Sequence, residues 1–335
     1  MNTCRQVTVD RTQEKQDGKR QFLSTVYCLL FVVCCFPSTV YAARADKSNF
    51  LQEADQAYRQ GSIDKSLELY RKAVDEDPGN AEAAQSLGVT YAEKGEWDKA
   101  IDVLKKALTL NPENAEIYVD LSLAYIEKKD FEKAVSYAQK AVSVAPKKAS
   151  AYLALGSAYE GFGDTQKAVD AYKQGIEADP ESSDLCLTLG NLYGKQGNFD
   201  EALNAYEEAI RINPKNTFAY SNSAYVYEDQ KNEKKAIELL NRGVKANPKD
   251  EVVWYDLGVA YGKSGDLNKA IESYKKSFDL NPKFYKACVS LAMAYEKQRN
   301  LEKSAEYYVK AMSLTEDPKV KEAILRQITR TNEQS

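Results

Sequence analysis

Apolar residues recur along this chain at i, i+3, i+4 and i+7, as at Tyr152, Leu155, Gly156 and Tyr159, the stripe that one face of an α-helix presents. Polar residues then intervene, and the same spacing resumes. Prolines at 78, 112, 146, 180, 214, 248 and 282 punctuate the pattern every 34 residues. Each block of 34 therefore predicts two amphipathic helices, A and B. Proline at the thirty-second place stops B and turns the chain into the next block.

Counted from Lys47, eight blocks begin at 47, 81, 115, 149, 183, 217, 251 and 285, and other special residues fall into columns. Place 11 holds Ala57 and then tyrosine seven times, from Tyr91 to Tyr295. Places 8 and 20 are small throughout, as in Gly88, Ser122, Ala100 and Ala134, which lets A and B approach closely. Glycine at place 15 in five blocks (Gly61, Gly95, Gly163, Gly197, Gly265) permits a left-handed turn between the helices. Ser, Asp or Asn at place 16 in seven blocks can cap the start of helix B. A block buries its apolar face only by stacking on its neighbours. Beyond the last block, Asp317 and Pro318 open one more helix, whose stripe of Val320, Ile324 and Ile328 is flanked by Lys and Arg, as a solvating end helix would be.

Leu87-Gly88-x-x-Tyr91, followed by Ala100, Ala107 and Pro112, resembles the tetratricopeptide repeat, with eight copies in one register from 47 to about 318. Departures are small: Glu53 stands where leucine is usual, and the eighth copy overruns by two residues. The resemblance implies an all-α fold, an α-solenoid of tandem antiparallel helix pairs in a right-handed superhelix with a C-terminal capping helix. The expected organisation is a signal peptide or membrane anchor at 1–42, a short linker at 43–46, repeats at 47–80, 81–114, 115–148, 149–182, 183–216, 217–250, 251–284 and 285–318, and a capping helix and tail at 319–335.

Charge changes the picture at the N-terminus. From Gln21 to Ala43 no residue is charged, and Phe22–Phe36 is almost wholly apolar after Lys19-Arg20. Pro37 breaks the run, and Val40-Tyr41-Ala42 offers modest residues at a cleavage site, the pattern of an export signal. Export to the periplasm or secretion is expected; an uncleaved segment would instead anchor the repeats outside the cytoplasm, the one route to membrane contact. The net charge of −4 divides into +2 for residues 1–42 and −6 for the rest. An acidic body speaks against nucleic acid as a partner.

Composition narrows the chemistry. The chain has no histidine, which removes Ser-His-Asp and Cys-His pairs and every histidine-bearing zinc site. Eight repeats of 34 residues leave no room for a catalytic domain, so no enzyme activity, catalytic residue, cofactor or metal is expected. Gly258-Val-Ala-Tyr-Gly262-Lys263-Ser264 has three residues between its glycines where a phosphate loop needs four, and it lies in helix A, not after a strand. Gly156 and Gly163 are repeat columns and make no dinucleotide turn. Cys186 and Cys288 share place 4 three blocks apart, too far for a disulfide, and read as packing residues.

The expected function is a scaffold binding proteins or peptides in assembly of a cell-envelope complex. Self-association through the array ends into a homo-oligomer is the alternative. In the family resembled, places 2, 5, 6, 9, 12 and 13 of helix A face the concave groove. Carried over, these place Val119, Leu123, Ile126, Leu153, Leu187, Asn191, Tyr225, Tyr255, Val259, Val289 and Met293 in the groove. Glu116, Asp120 and Glu127 join Glu82, Glu93 and Glu160 there in blocks two to four, whereas Lys195, Lys263, Lys286 and Lys297 come only from block five onward. A partner with apolar anchors and a basic part toward the N-terminal half is the expectation. Against it stands tight coiling, in which places 5 and 9 pack between adjacent A helices. The Lys and Asn set that clamps a chaperone C-terminus is missing from every three consecutive blocks. Of 23 tyrosines, fifteen occupy packing columns 4, 11 or 24; Tyr225 and Tyr255 do not.

Overall fold

The computed structural model describes residues 49–333, so the export signal falls outside the described residues. Among the described residues there are seventeen α-helices and no strand. They are α1 (Phe50–Arg59), α2 (Ile63–Glu76), α3 (Ala81–Glu93), α4 (Trp97–Leu110), α5 (Ala115–Glu127), α6 (Phe131–Val144), α7 (Ala149–Phe162), α8 (Thr165–Ala178) and α9 (Ser183–Gln196). The series continues with α10 (Phe199–Ile212), α11 (Thr217–Asp229), α12 (Glu233–Ala246), α13 (Glu251–Ser264), α14 (Leu267–Leu280), α15 (Tyr285–Lys297), α16 (Leu301–Leu314) and α17 (Pro318–Glu333). Odd-numbered helices up to α15 are the A helices and even-numbered ones the B helices. The fold is an all-α solenoid of tandem antiparallel helix pairs. Two compact units make it up, one ending at Ala168 and the other beginning at Val169.

The turn from A to B is the same hydrogen-bonded device in every pair. The N–H at place 16 donates to the carbonyl at place 11, as in Glu96 to Tyr91 and Asp130 to Tyr125, both 2.9 Å. This closes a Schellman motif around a left-handed residue at place 15. Five glycines take that conformation, and so do Lys129, Lys231 and Arg299, with φ of 59°, 57° and 59°. Those three side chains carry strain of about 1 kcal/mol each that glycine avoids. Asp130, Asp164, Asn232, Asp266 and Asn300 then cap helix B, accepting from the N–H three residues on at 3.1 to 3.3 Å. Ser62 and Asn198 make no such cap, contrary to the column's promise; the Asn198 amide donates to Gln196 Oε1 instead. Proline at place 32 sits second in a four-residue turn, as in Asp77–Asn80, where the Asn80 N–H donates to the Asp77 carbonyl at 3.0 Å. The next A helix is capped from place 34, by Asn80, Ser182, Asn216 and Asp250 among others.

Each tyrosine at place 11 is also held by cations. Lys99, Lys133, Lys167, Lys235, Lys269 and Lys303, all at place 19 of the same block, lie 5.2 to 5.6 Å from the ring centroids of Tyr91, Tyr125, Tyr159, Tyr227, Tyr261 and Tyr295. The preceding B helix covers the same ring again: Arg71 on Tyr91, Lys105 on Tyr125 and Lys275 on Tyr295. In the fifth block Glu201 replaces the lysine, and Lys173 from the preceding B helix covers Tyr193. Such contacts contribute about 0.5–1 kcal/mol each at exposed sites and tie one pair to the next.

The first unit centres on Leu104, Ile117, Leu121 and Ala134, fully buried where α4, α5 and α6 meet. The second has its own clusters, around Tyr206 and Tyr220, around Leu240 and Val253, and around Leu291 and Tyr308. Ile324 of α17 is buried in the last of these, with Val320 and Ile328 packed beside it. Cys186 and Cys288 are free thiols, buried in α9 and α15, and burial pushes both thiols up to about 11. They are packing groups, not nucleophiles.

Candidate binding surface

In the first unit, α3 and α5, and α5 and α7, pack side by side. This brings the place-2 and place-6 carboxylates against polar groups of the adjacent A helix. Gln85 Nε2 donates to Asp120 Oδ2 at 2.7 Å, and Gln85 Oε1 accepts from Asn114 at 3.0 Å. Burial dominates at Asp120 and pushes its carboxyl up to about 7; the Gln85 hydrogen bond opposes this, and neighbouring Glu116 adds to it. Glu116 accepts from Ser150 Oγ at 2.9 Å and pairs with Lys148. Burial likewise raises the carboxyls of Glu82, Glu93 and Glu127. Glu93 accepts the Tyr58 hydroxyl. The A-helix face of this unit thus gathers carboxylates whose charge is only partly compensated.

The apolar candidates divide. Val119, Leu123, Leu153 and Leu187 are all buried, and Ile126 packs partly buried on the first unit's core. Burial of Val119, Leu123, Leu153 and Leu187 between helices is what tight coiling at places 5 and 9 implies, whereas Ile126, at place 12, stays partly open. Tyr255 lies between Tyr274 and Phe284, with ring centroids 5.7 and 5.2 Å away, and Val259 packs beside it. Asn191 accepts from Tyr206 Oη at 2.9 Å and from Asn222 Nδ2 at 2.7 Å, so it holds α9 to α10 and α11. Tyr225 is 68% exposed and Met293 47%.

Sequence reasoning passed over three residues of the second unit's A-helix face. Phe218 and Val252, both at place 2, are exposed; their signal was the column that holds Glu116 in the first unit. Asp256 occupies the same place as Asp120, and burial pushes its carboxyl up to about 6. Among the described residues no group of three or more His, Cys, Asp or Glu could hold a metal ion. No helix among them is long and apolar enough to cross a membrane.

Comparison with known proteins places this geometry. The family model for the cilia and flagella-associated protein 70 C-terminal domain matches residues 114–328, and a tetratricopeptide repeat model matches 51–115. No curated protein matches. Among solved structures, yeast Tom70 aligns over 100% of this chain and 76% of its own at 16% identity, with a TM-score of 0.68. The pilF protein of Pseudomonas aeruginosa aligns over 64% of this chain and 97% of its own at 17% identity, TM-score 0.50. A thermophilic TPR protein of Thermus thermophilus is 27% identical over 54% of this chain and 98% of its own, TM-score 0.48. The first two likenesses are of fold alone.

Proposed function

Because the chain belongs to the tetratricopeptide-repeat family of the cilia and flagella-associated protein 70 C-terminal domain, we propose that it is an exported scaffold that captures protein partners on its A-helix faces and helps assemble a cell-envelope complex. The observation that carries the reading is the first unit's face, where burial raises the carboxyls of Glu82, Asp120 and Glu127 with little cation beside them. Raised carboxyls in a folded protein cost stability, and a cationic segment laid over them offsets that cost. The partner's basic part therefore belongs on this unit. Export is supported by the basic pair, apolar run and small-residue site in residues 19–42.

Charge reversal tests the reading where it leaves the interior alone. Glu82→Lys with Glu127→Lys is expected to cut crosslinked partner from envelope extract by about tenfold relative to wild type, and wild-type capture is expected to weaken as salt shortens the screening length from about 10 Å to about 3 Å. Capture that ignores both changes overturns the basic-partner assignment.

A further inference from the structure

The second unit carries a different surface, and its reading rests on the assignment of A-helix faces to partners. Places 2 and 9 are seven residues apart and share one face of each helix. On α11 they are Phe218 and Tyr225, on α13 Val252 and Val259, and on α15 Lys286 and Met293. Adjacent A helices pack together here, α11 on α13 and α13 on α15, so the two columns form a continuous strip. Phe218, Tyr225, Val252 and Met293 stand exposed on it. The same columns of the first unit hold Glu82, Glu116 and Ser157 beside a partly buried Val89 and a buried Leu123, so the helix packing does not require exposed apolar groups there.

Charge at the two ends of the strip is unequal. Lys286 and Lys297 flank Met293 on α15, both exposed, and neither forms an ion pair among the described residues; the charge of Lys286 acts weakly on the Asp256 carboxyl. At the α11 end Glu228 is already bound to Lys263 at 2.5 Å, and Asp229 is exposed. Spacing adds a constraint. Columns seven residues apart are about 10 Å apart along each helix, and packed helices stand about 8–10 Å apart. That grid matches side chains at i and i+7, about 10 Å apart on one face of a helix laid across it.

We propose that this strip seats an amphipathic helix of a partner protein, with apolar anchors on Phe218, Tyr225, Val252 and Met293 and carboxylates at its α15 end on Lys286 and Lys297. The probe is a labelled helix-forming peptide of about five turns, leucines along one face and glutamates at one end, titrated by fluorescence anisotropy against the full chain. A companion peptide has lysines for the glutamates. The acidic peptide is expected to bind about tenfold tighter than its companion. Tyr225→Ser with Met293→Ser should lose that binding, both sites being exposed and the fold intact by circular dichroism. Lys286→Glu with Lys297→Glu should invert the preference. Equal binding of the two peptides, or binding untouched by the serine pair, overturns the proposal; so does a wild-type dimer that the serine pair dissolves, which would make the occupant a second copy. If partner capture still depends on Glu82 and Glu127 in those cases, the scaffold reading stands without this surface.

Discussion

Tyr206→Ala is expected to destabilise the second unit by about 3–5 kcal/mol, the cost of deleting a large buried aromatic ring. The ring is 3% exposed and packs closely against Gly190, and its hydroxyl donates to Asn191, which also accepts from Asn222. The loss therefore combines a cavity with an unbalanced polar cluster joining three helices. The glycine gives a second handle on the same contact. A Cβ at position 190 would fall 2.6 Å from Tyr206 Cε1 and 3.2 Å from the Ala202 carbonyl oxygen. Gly190→Ala alone should cost about 1–3 kcal/mol by overpacking. In the Tyr206→Ala background the ring is gone, and the same methyl should cost under about 1 kcal/mol, a clear departure from additivity. Denaturant melts of the four chains, with hydrogen exchange over α9 to α11, read this out. Additive losses would contradict the packing.

Asp120→Asn is expected to stabilise the folded chain at pH 8 and leave it nearly unchanged at pH 4. The carboxyl titrates near 7 when folded against 3.8 as its ordinary value, so the folded chain holds the proton more tightly. Its stabilising contribution is complete below 3.8 and is lost as pH rises through about 7. That span corresponds to at most about 4 kcal/mol. Asparagine keeps an acceptor for Gln85 and removes the charge, so the variant should recover about 1–3 kcal/mol at pH 8. The pH slope should shrink without vanishing, because Asp256 titrates near 6 and burial also raises Glu127. Asp130, Asp164 and Asp266 act oppositely: hydrogen bonds and charge from Lys133, Lys167 and Lys269 lower their carboxyls, so their contribution is lost only at acid pH. Denaturation midpoints at pH 5 and pH 8 check the sign. An Asp120→Asn chain as pH-sensitive as wild type would assign the slope elsewhere. A carboxylate that weakens the fold at neutral pH is what a binding face tolerates.

The helices were legible because their causes are local. Spacing, proline at 32, glycine at 15 and small residues at 8 and 20 each act within one block, and the helices begin where those residues put them. Even Lys129, Lys231 and Arg299 obey the column, taking the left-handed turn without being glycine. What escaped the sequence depends on how one block lies on the next. The tyrosine at 11 is plain in seven of eight blocks, yet its cover by Arg71, Lys105, Lys173 or Lys275 comes from the B helix of the preceding block, which periodicity does not report. Val119, Leu123, Leu153 and Leu187 look like groove residues by place and are buried, because a helix face can serve a neighbour or a partner with the same apolar pattern. Tyr225 and Met293 occupy the same column as Leu123 and stay exposed, a difference set by packing between A helices and invisible one block at a time.

The central claim is that partners meet the A-helix faces, while the B helices and their tyrosine–lysine contacts only hold those faces in place. Photo-crosslinking residues placed singly at Glu82 and Tyr225 on A helices, and at Lys106 and Lys276 exposed on B helices, test it directly in the full chain. Covalent partner adducts from the first two positions and none from the last two are predicted. Adducts from Lys106 or Lys276 with the A-helix positions silent would contradict it.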